Sequence, residues 1–141
     1  MTPMNDTKRY KQGMKIRRAV LGDEHVDRAA ATTTHFNRDF QDFITRNAWG
    51  EIWARPGLPR HTRSLLTLAM MVALNRGDEF RLHVKGAFNN GVTRDQIKEV
   101  LLQSAIYCGV PAANSAFHIA ADVFKEMDDK TKTSSKKRKR S

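Results

Sequence analysis

His83 is the side chain of this sequence best suited to move a proton. Phe80, Val84 and Phe88 recur around it at helical spacing, so the imidazole enters a predicted apolar face. Glu79 stands one helical turn earlier, where its carboxylate could orient the ring. Burial lowers the pKa of a histidine, whereas a carboxylate neighbour raises it, and the sequence does not decide between them. We predict an acid–base role for His83, with a satisfied structural histidine as the alternative.

Further polar side chains suit an anionic substrate. Arg63 lies near a predicted helix start, where basic groups oppose the helix dipole and a bound carboxylate would relieve the misfit. Asn114 and His118 lie one turn apart near the start of the last helix, where free backbone N–H groups favour an anion. A surface histidine with a capping asparagine is the alternative. Tyr107 either donates its hydroxyl to a substrate oxygen or completes the core.

Composition argues against several other kinds of site. The single cysteine, Cys108, has no partner for a redox pair or a cysteine-rich zinc site. The five histidines show no metal-ligand spacing, so we predict no metal and no cofactor. No apolar run approaches the ~20 residues of a membrane span, and the N-terminus lacks a secretory signal. We therefore expect a cytoplasmic protein with no membrane partner.

The net charge of +10 is concentrated at one end of the chain. Residues 130–141 contain seven Lys and Arg and no acid, which leaves 18 basic and 15 acidic side chains in residues 1–129. Such a run is typical of a solvated, disordered end. Nucleic-acid binding is the sharper alternative, but no aromatic side chain interleaves the run to stack on bases. We predict one folded domain over residues 1–129, a basic disordered tail over 130–141, and no nucleic-acid partner.

The elements that must position these side chains all read as helices, because no segment alternates with a period of two. The predicted helices are Thr7–Leu21, His25–Ile44, Arg60–Asn75, Asp78–Asn89, a fifth from the capping box at Thr93 to Cys108, and a last one containing Pro111 in its first turn.

Two apolar faces bear on packing. Phe36, Phe40 and Phe43 recur at spacings of four and three, which favours a stripe that faces the core. Residues 65–74 are apolar almost all the way round their helix, as is typical of a helix covered on most sides. Because so small a domain offers little cover, we predict an oligomer.

Three segments occur in order along the chain, and they are WGEIWARPGLPRHTRSLLTLA (49–69), RLHVKGAFNNGVT (81–93) and IYCGVPAANSAF (106–117). Together they resemble the carboxymuconolactone decarboxylase family of the alkyl hydroperoxidase D-like superfamily. The resemblance covers roughly residues 10–127. It implies an all-α bundle of about six helices, assembled as a ring-like hexamer. The peroxidase branch uses a CxxCxxxH motif, but alignment on His83 places Arg76 and Glu79 at the cysteine positions. We therefore expect no peroxidase activity.

The resemblance further implies cofactor-free loss of CO2 from 4-carboxymuconolactone, giving β-ketoadipate enol-lactone, in the protocatechuate branch of aromatic catabolism. The substrate is a small lactone dicarboxylate, and the candidate residues fall into two sets. Those with a catalytic role are His83, Glu79 and His118. Those that would clamp a carboxylate, donate to the lactone oxygen or shield the site are Arg63, Arg81, Trp49, Tyr107 and Asn114.

Two other functions fit the same sequence. One is a non-enzymatic helical oligomer that binds nucleic acid or an acidic partner through its basic tail. The other is a related decarboxylase-like enzyme that acts on another lactone or keto acid.

Overall fold

The computed structural model describes residues 5–141, and every regular element in that range is helical. The elements are α1 (Asp6–Leu21), α2 (Asp23–Ala31), α3 (Arg38–Ile44), a π-helical segment (Thr45–Ile52), α4 (Arg60–Ala73), α5 (Gly77–Asn89), α6 (Arg94–Cys108) and α7 (Val110–Arg140). The predicted all-α class is confirmed. In the described part of the chain, no helix combines the length and apolar character needed to cross a bilayer.

Most helix ends follow the capping signals of the sequence. Gly22 ends α1 with φ 89°, and Gly109 separates α6 from α7 with φ 98°, a conformation that costs glycine no strain. Thr93 and Gln96 form the predicted capping box at the start of α6. The Thr93 hydroxyl accepts from the Gln96 N–H at 3.1 Å, and the Gln96 side chain accepts from the Thr93 N–H at 2.9 Å. Pro111 lies in the first turn of α7, as predicted.

Replacing Thr93 with Ala is expected to lower the free energy of unfolding by about 1 kcal/mol, because the Gln96 N–H loses its acceptor. Urea denaturation followed by circular dichroism measures this change. Thr93→Ser keeps the acceptor oxygen and should retain most of the stability. Equal midpoints for Thr93→Ala and the wild type would contradict the contribution of the capping box.

The single helix predicted over His25–Ile44 is wrong, because the chain turns between α2 and α3. Threonine hydroxyls compete with the helical backbone at this point. The Thr33 hydroxyl donates to the Ala29 carbonyl oxygen at 2.8 Å, and the Thr34 N–H donates to the Asn37 side chain at 2.7 Å. The run of three threonines in the sequence was the available signal for this break.

The phenylalanine stripe does not enter the core of the single chain. Phe36 lies in the turn before α3 and is 96% exposed, and Phe40 and Phe43 are also exposed. None of the seven residues of α3 is buried. The predicted core-facing stripe is therefore wrong for the single chain, although Phe40 and Phe43 do lie on a helix.

The helices form two compact units, and the first contains residues 5–64 together with Gly86–Val92. Its core is formed by Ile16, Val20 and Trp49 on α1 and the π-helical segment. The two elements approach closely because both carry glycine at their contact. A Cβ on Gly13 would overlap the Thr45 carbonyl oxygen, and one on Gly50 would overlap the Arg9 carbonyl oxygen.

The second unit contains Leu65–Lys85 and Thr93–Ser141. Helix α6 packs on α7, whose buried Ala113, Ala116 and Ala120 allow a close approach between the helices. Near the start of α6, the Arg94 guanidinium lies 4.8 Å from the centre of the Phe124 ring. The buried apolar side chains of this unit are Leu68, Val72, Phe80, Val84, Ile97, Leu101, Ala113, Ala116, Ala120 and Val123.

Helix α7 continues through the basic segment as far as Arg140. Residues 130–141 are all exposed, so no packed apolar face stabilises this part of the helix, and its clustered cations repel one another. We expected a disordered tail here, and the structure shows an exposed helix. The functional division of the chain at residue 129 stays a prediction.

Candidate active site

Helix α5 holds His83 half-buried, between a face that is buried and one that is solvated. Phe80 and Val84 on either side of it are fully buried, whereas Glu79, one turn earlier, is exposed. A half-buried imidazole can contact an apolar ligand and still exchange protons with solvent. The acidic side chains Asp78 and Glu79 lie in the first turn of α5, where the helix dipole favours negative charge. This arrangement is compatible with the predicted pairing of His83 with Glu79.

Arg81, also on α5, forms ion pairs with two carboxylates of α7. Its guanidinium lies 2.7 Å from Glu126 and 3.7 Å from Asp122. The hydrogen bond from Arg81, together with one from Lys85, holds the pKa of Glu126 below its ordinary value. A substrate carboxylate would have to replace these partners before Arg81 could clamp it. Arg81 is therefore a weaker candidate for substrate binding than its sequence position suggested.

Three predicted donors flank the break between α6 and α7. Tyr107, in the last turn of α6, is 83% exposed, so it does not complete the core. Asn114 and His118 lie one turn apart on α7, and both are exposed. Gly109, with its positive φ, forms the junction between the two helices. The three side chains can therefore present hydrogen-bond groups to a ligand without leaving a gap in the core.

Trp49 lies in the first unit, where it is a core residue and only 6% exposed. Its ring stacks on that of Trp53 with 5.1 Å between the ring centres and 28° between the planes. Trp53 is the more accessible of the two. Any shielding role of Trp49 is thus shared with Trp53.

A groove of about 400 Å³ opens beside Trp53 and carries three cations, Lys15, Arg55 and Arg60, on its wall. An anionic ligand in this groove would meet these charges and an aromatic face. Lys15 was missed in the sequence because α1 and the loop before α4 are separated by some forty positions. The proline-rich segment Pro56–Pro59 marks a break in the helical pattern beside this groove.

Arg63 lies in the first turn of α4 and is half-buried. Its Nη2 donates to the Arg55 carbonyl oxygen at 3.2 Å, which holds the side chain against the loop before the helix. No acidic residue occupies the first turn of α4, so the positive end of the helix dipole has no local counter-charge. A carboxylate at this helix start remains the prediction for Arg63.

The comparisons with known proteins extend over most of the chain. The "Carboxymuconolactone decarboxylase family" matches residues 38–122. A 4-carboxymuconolactone decarboxylase of Acinetobacter baylyi is 56% identical over 124 residues, which are 88% of this chain and 92% of that protein. A nitrosuccinic acid decarboxylase of Metarhizium robertsii is 43% identical over 121 residues, 86% of this chain and 85% of that protein. Both relatives are thus named as decarboxylases of small acids.

Proposed function

Because the chain belongs to the carboxymuconolactone decarboxylase family, we propose that it converts 4-carboxymuconolactone to β-ketoadipate enol-lactone and CO2. The observation that carries this proposal is the 56% identity to the Acinetobacter baylyi enzyme over 88% of the chain. The protein then acts as a cytoplasmic carboxy-lyase in the protocatechuate branch of aromatic catabolism.

The reaction uses the conjugation of its substrate. The bond between the lactone ring and the departing carboxylate breaks, and its electron pair enters the C=C bond conjugated with the lactone carbonyl. The resulting dienolate carries its charge on the former carbonyl oxygen. A proton added to carbon then gives the product lactone. The protein must therefore hold two carboxylates, stabilise an oxyanion and supply one proton.

We assign one part of this reaction to each candidate residue. Arg63 holds a substrate carboxylate at the start of α4. His83 donates the proton to the dienolate carbon, and Glu79 orients the imidazole. Half-burial of His83 between Phe80 and Val84 supports this role, because the proton is delivered away from bulk water.

The remaining polar candidates act on the developing oxyanion. Tyr107, Asn114 and His118 donate hydrogen bonds to the lactone oxygen. Their exposure on α6 and α7 leaves these groups available to a ligand. Arg81 contributes to the positive potential even while it is paired with Glu126.

Turnover of purified protein with 4-carboxymuconolactone, followed by ultraviolet absorbance and CO2 release, tests the proposal. The similarity to the nitrosuccinic acid decarboxylase favours a second candidate, a different small acid that decarboxylates by the same route. Nitrosuccinate should therefore be assayed in parallel. A higher kcat/KM with nitrosuccinate would overturn the first assignment, and no turnover of either acid would overturn both.

We also propose that the protein is a homo-oligomer, and that it forms the hexamer implied by the family resemblance. Leu66 and Met70 on α4 and Leu74 in the turn directly after it follow one another at four-residue spacing, and all are exposed, Met70 to 56%. A continuous apolar row on a helix is typical of a subunit contact. In the first unit, the exposed Phe36 and the exposed phenylalanines of α3 form a separate apolar surface.

Replacing Met70 with Glu is expected to shift the protein to smaller assemblies, because a carboxylate in an apolar contact must lose its hydration. Sedimentation velocity measures the change. Thr133→Glu adds the same charge on the exposed final turns of α7 and should leave the sedimentation coefficient unaltered. A Met70→Glu protein that sediments like the wild type would exclude this row from the contact.

A further inference from the structure

Arg17 is a buried cation whose charge is not matched by a carboxylate. The residue lies on α1 in the first unit and is 6% exposed. Its Nη1 donates to the Thr45 hydroxyl at 3.3 Å, and its Nη2 donates to the Gln41 side-chain oxygen at 3.0 Å. Its Nε is buried and has no hydrogen-bond partner. Among residues 5–141, no carboxylate forms an ion pair with Arg17.

This arrangement is energetically costly for the folded chain. A buried charge is tolerated when it is paired, and a buried N–H donor when it is bonded. Neutral Thr45 and Gln41 compensate a guanidinium less well than a carboxylate does. Burial, the largest effect, holds the pKa of Arg17 below its ordinary value. A ligand with an anionic oxygen would supply the missing counter-charge.

A cavity of about 270 Å³ lies against Arg17. Arg38 also lines it and makes no ion pair within the described residues, whereas Arg18 is already paired with Asp23 and Asp27. Asp42 also lines the cavity, but within residues 5–141 it forms no ion pair with Arg17. The cavity therefore keeps an excess of positive charge, which favours binding of an anion over binding of a cation.

The rest of the wall is largely apolar. Met14, Val26 and Ala30 face the cavity, and Tyr10 adds an aromatic ring with a hydroxyl. The volume lies just below the roughly 300–1,000 Å³ of drug-sized sites, so the ligand must be small. An inorganic anion would satisfy Arg17 but would leave the apolar wall uncovered.

We propose that this cavity binds a small organic carboxylate with an apolar body. Its carboxylate pairs with the guanidinium of Arg17 and supplies the missing counter-charge. The apolar body lies against the wall formed by α1 and α2. None of the eight residues assigned to the decarboxylation lines this cavity, so the site is additional to the proposed reaction.

Benzoate is a suitable probe, because it combines one carboxylate with a compact apolar ring. Calorimetric titration of the full chain should show saturable binding that Arg17→Met weakens at least tenfold. Arg28→Gln is the matched control, since Arg28 is an exposed cation of α2 that pairs with Glu24 and does not line the cavity. Arg17→Lys keeps the positive charge but loses the planar guanidinium, so this variant should also bind benzoate more weakly.

A measurement on the wild type avoids any effect of substitution on folding. Desolvation, followed by the charges of Arg17 and Arg28, lowers the pKa of His25. A carboxylate bound to Arg17 would cancel part of this repulsion, so saturating benzoate should raise the pKa of His25 in a nuclear magnetic resonance titration. The same addition to Arg17→Met should leave the His25 titration unchanged.

The outcomes distinguish a free carboxylic acid from a carboxylate supplied by a second copy of the chain. Binding that depends on Arg17, with the assembly intact in sedimentation, supports a free acid as the ligand. Dissociation of the assembly by benzoate would instead indicate that a carboxylate of a second copy occupies the cavity, and would overturn the proposal. Absence of binding, or equal binding by a folded Arg17→Met protein, would overturn it as well.

Discussion

Replacing His83 with Ala is expected to lower kcat for 4-carboxymuconolactone by roughly 10²–10⁴-fold, the usual contribution of a positioned proton donor. Without this donor the dienolate would still form, but it would recombine with CO2, because the reaction is completed only by protonation at carbon. KM should change little, since the substrate carboxylates are assigned to Arg63 rather than to His83. Steady-state kinetics with circular dichroism of the variant measure both effects.

The control for this result is His35→Ala. His35 is exposed in the turn between α2 and α3, so its removal should leave kcat unchanged. His83→Gln keeps a polar side chain of similar reach but supplies no comparable proton, and should be as impaired as His83→Ala. Near-normal turnover by a folded His83→Ala protein would make the proton-donor assignment wrong.

Replacing Gly13 with Ala is expected to lower the free energy of unfolding by about 3 kcal/mol or more. In an isolated helix the change would be favourable by about 1 kcal/mol. Here the new Cβ would overlap the Thr45 carbonyl oxygen and approach the Gly50 backbone nitrogen to 2.9 Å. Both are backbone atoms, which cannot rotate away as a side chain can, so the clash outweighs the helix propensity.

Urea denaturation of Gly13→Ala measures the loss, and Gly57→Ala is its matched control. A Cβ added at Gly57 would have no neighbouring atom within 4 Å, and this glycine does not take a positive φ. Its substitution should change the stability by no more than about 0.5 kcal/mol. A Gly13→Ala protein more stable than the wild type would mean that α1 and the π-helical segment separate at little cost.

The two results bear on different properties of the molecule. Loss of activity in His83→Ala with an unchanged fold concerns the chemistry of α5. Loss of stability in Gly13→Ala concerns the packing that holds Trp49 in the first unit. Total stabilities are typically about 5–15 kcal/mol, so the glycine substitution removes a large share of the whole.

The sequence by itself determined the helices and the family. Gly22, Thr93 and Gly109 mark helix ends through contacts with residues a few positions away, and such signals are readable without the fold. The motifs that contain Trp49 and His83 are also readable without the fold, and they indicated the decarboxylase family. The three threonines between α2 and α3 were also a local signal. The prediction missed this break because the helical spacing of the phenylalanines favoured one continuous helix.

Only the tertiary structure decided which of these side chains have partners. Arg81 pairs with Glu126, which lies 45 positions away, and Arg17 bonds to Thr45, 28 positions away. No helical period carries information over such separations. The same holds for Trp49, which is buried because α1 packs against it. Local capping and spacing thus predicted the helices around His83, while long-range packing left Arg17 buried without a counter-charge.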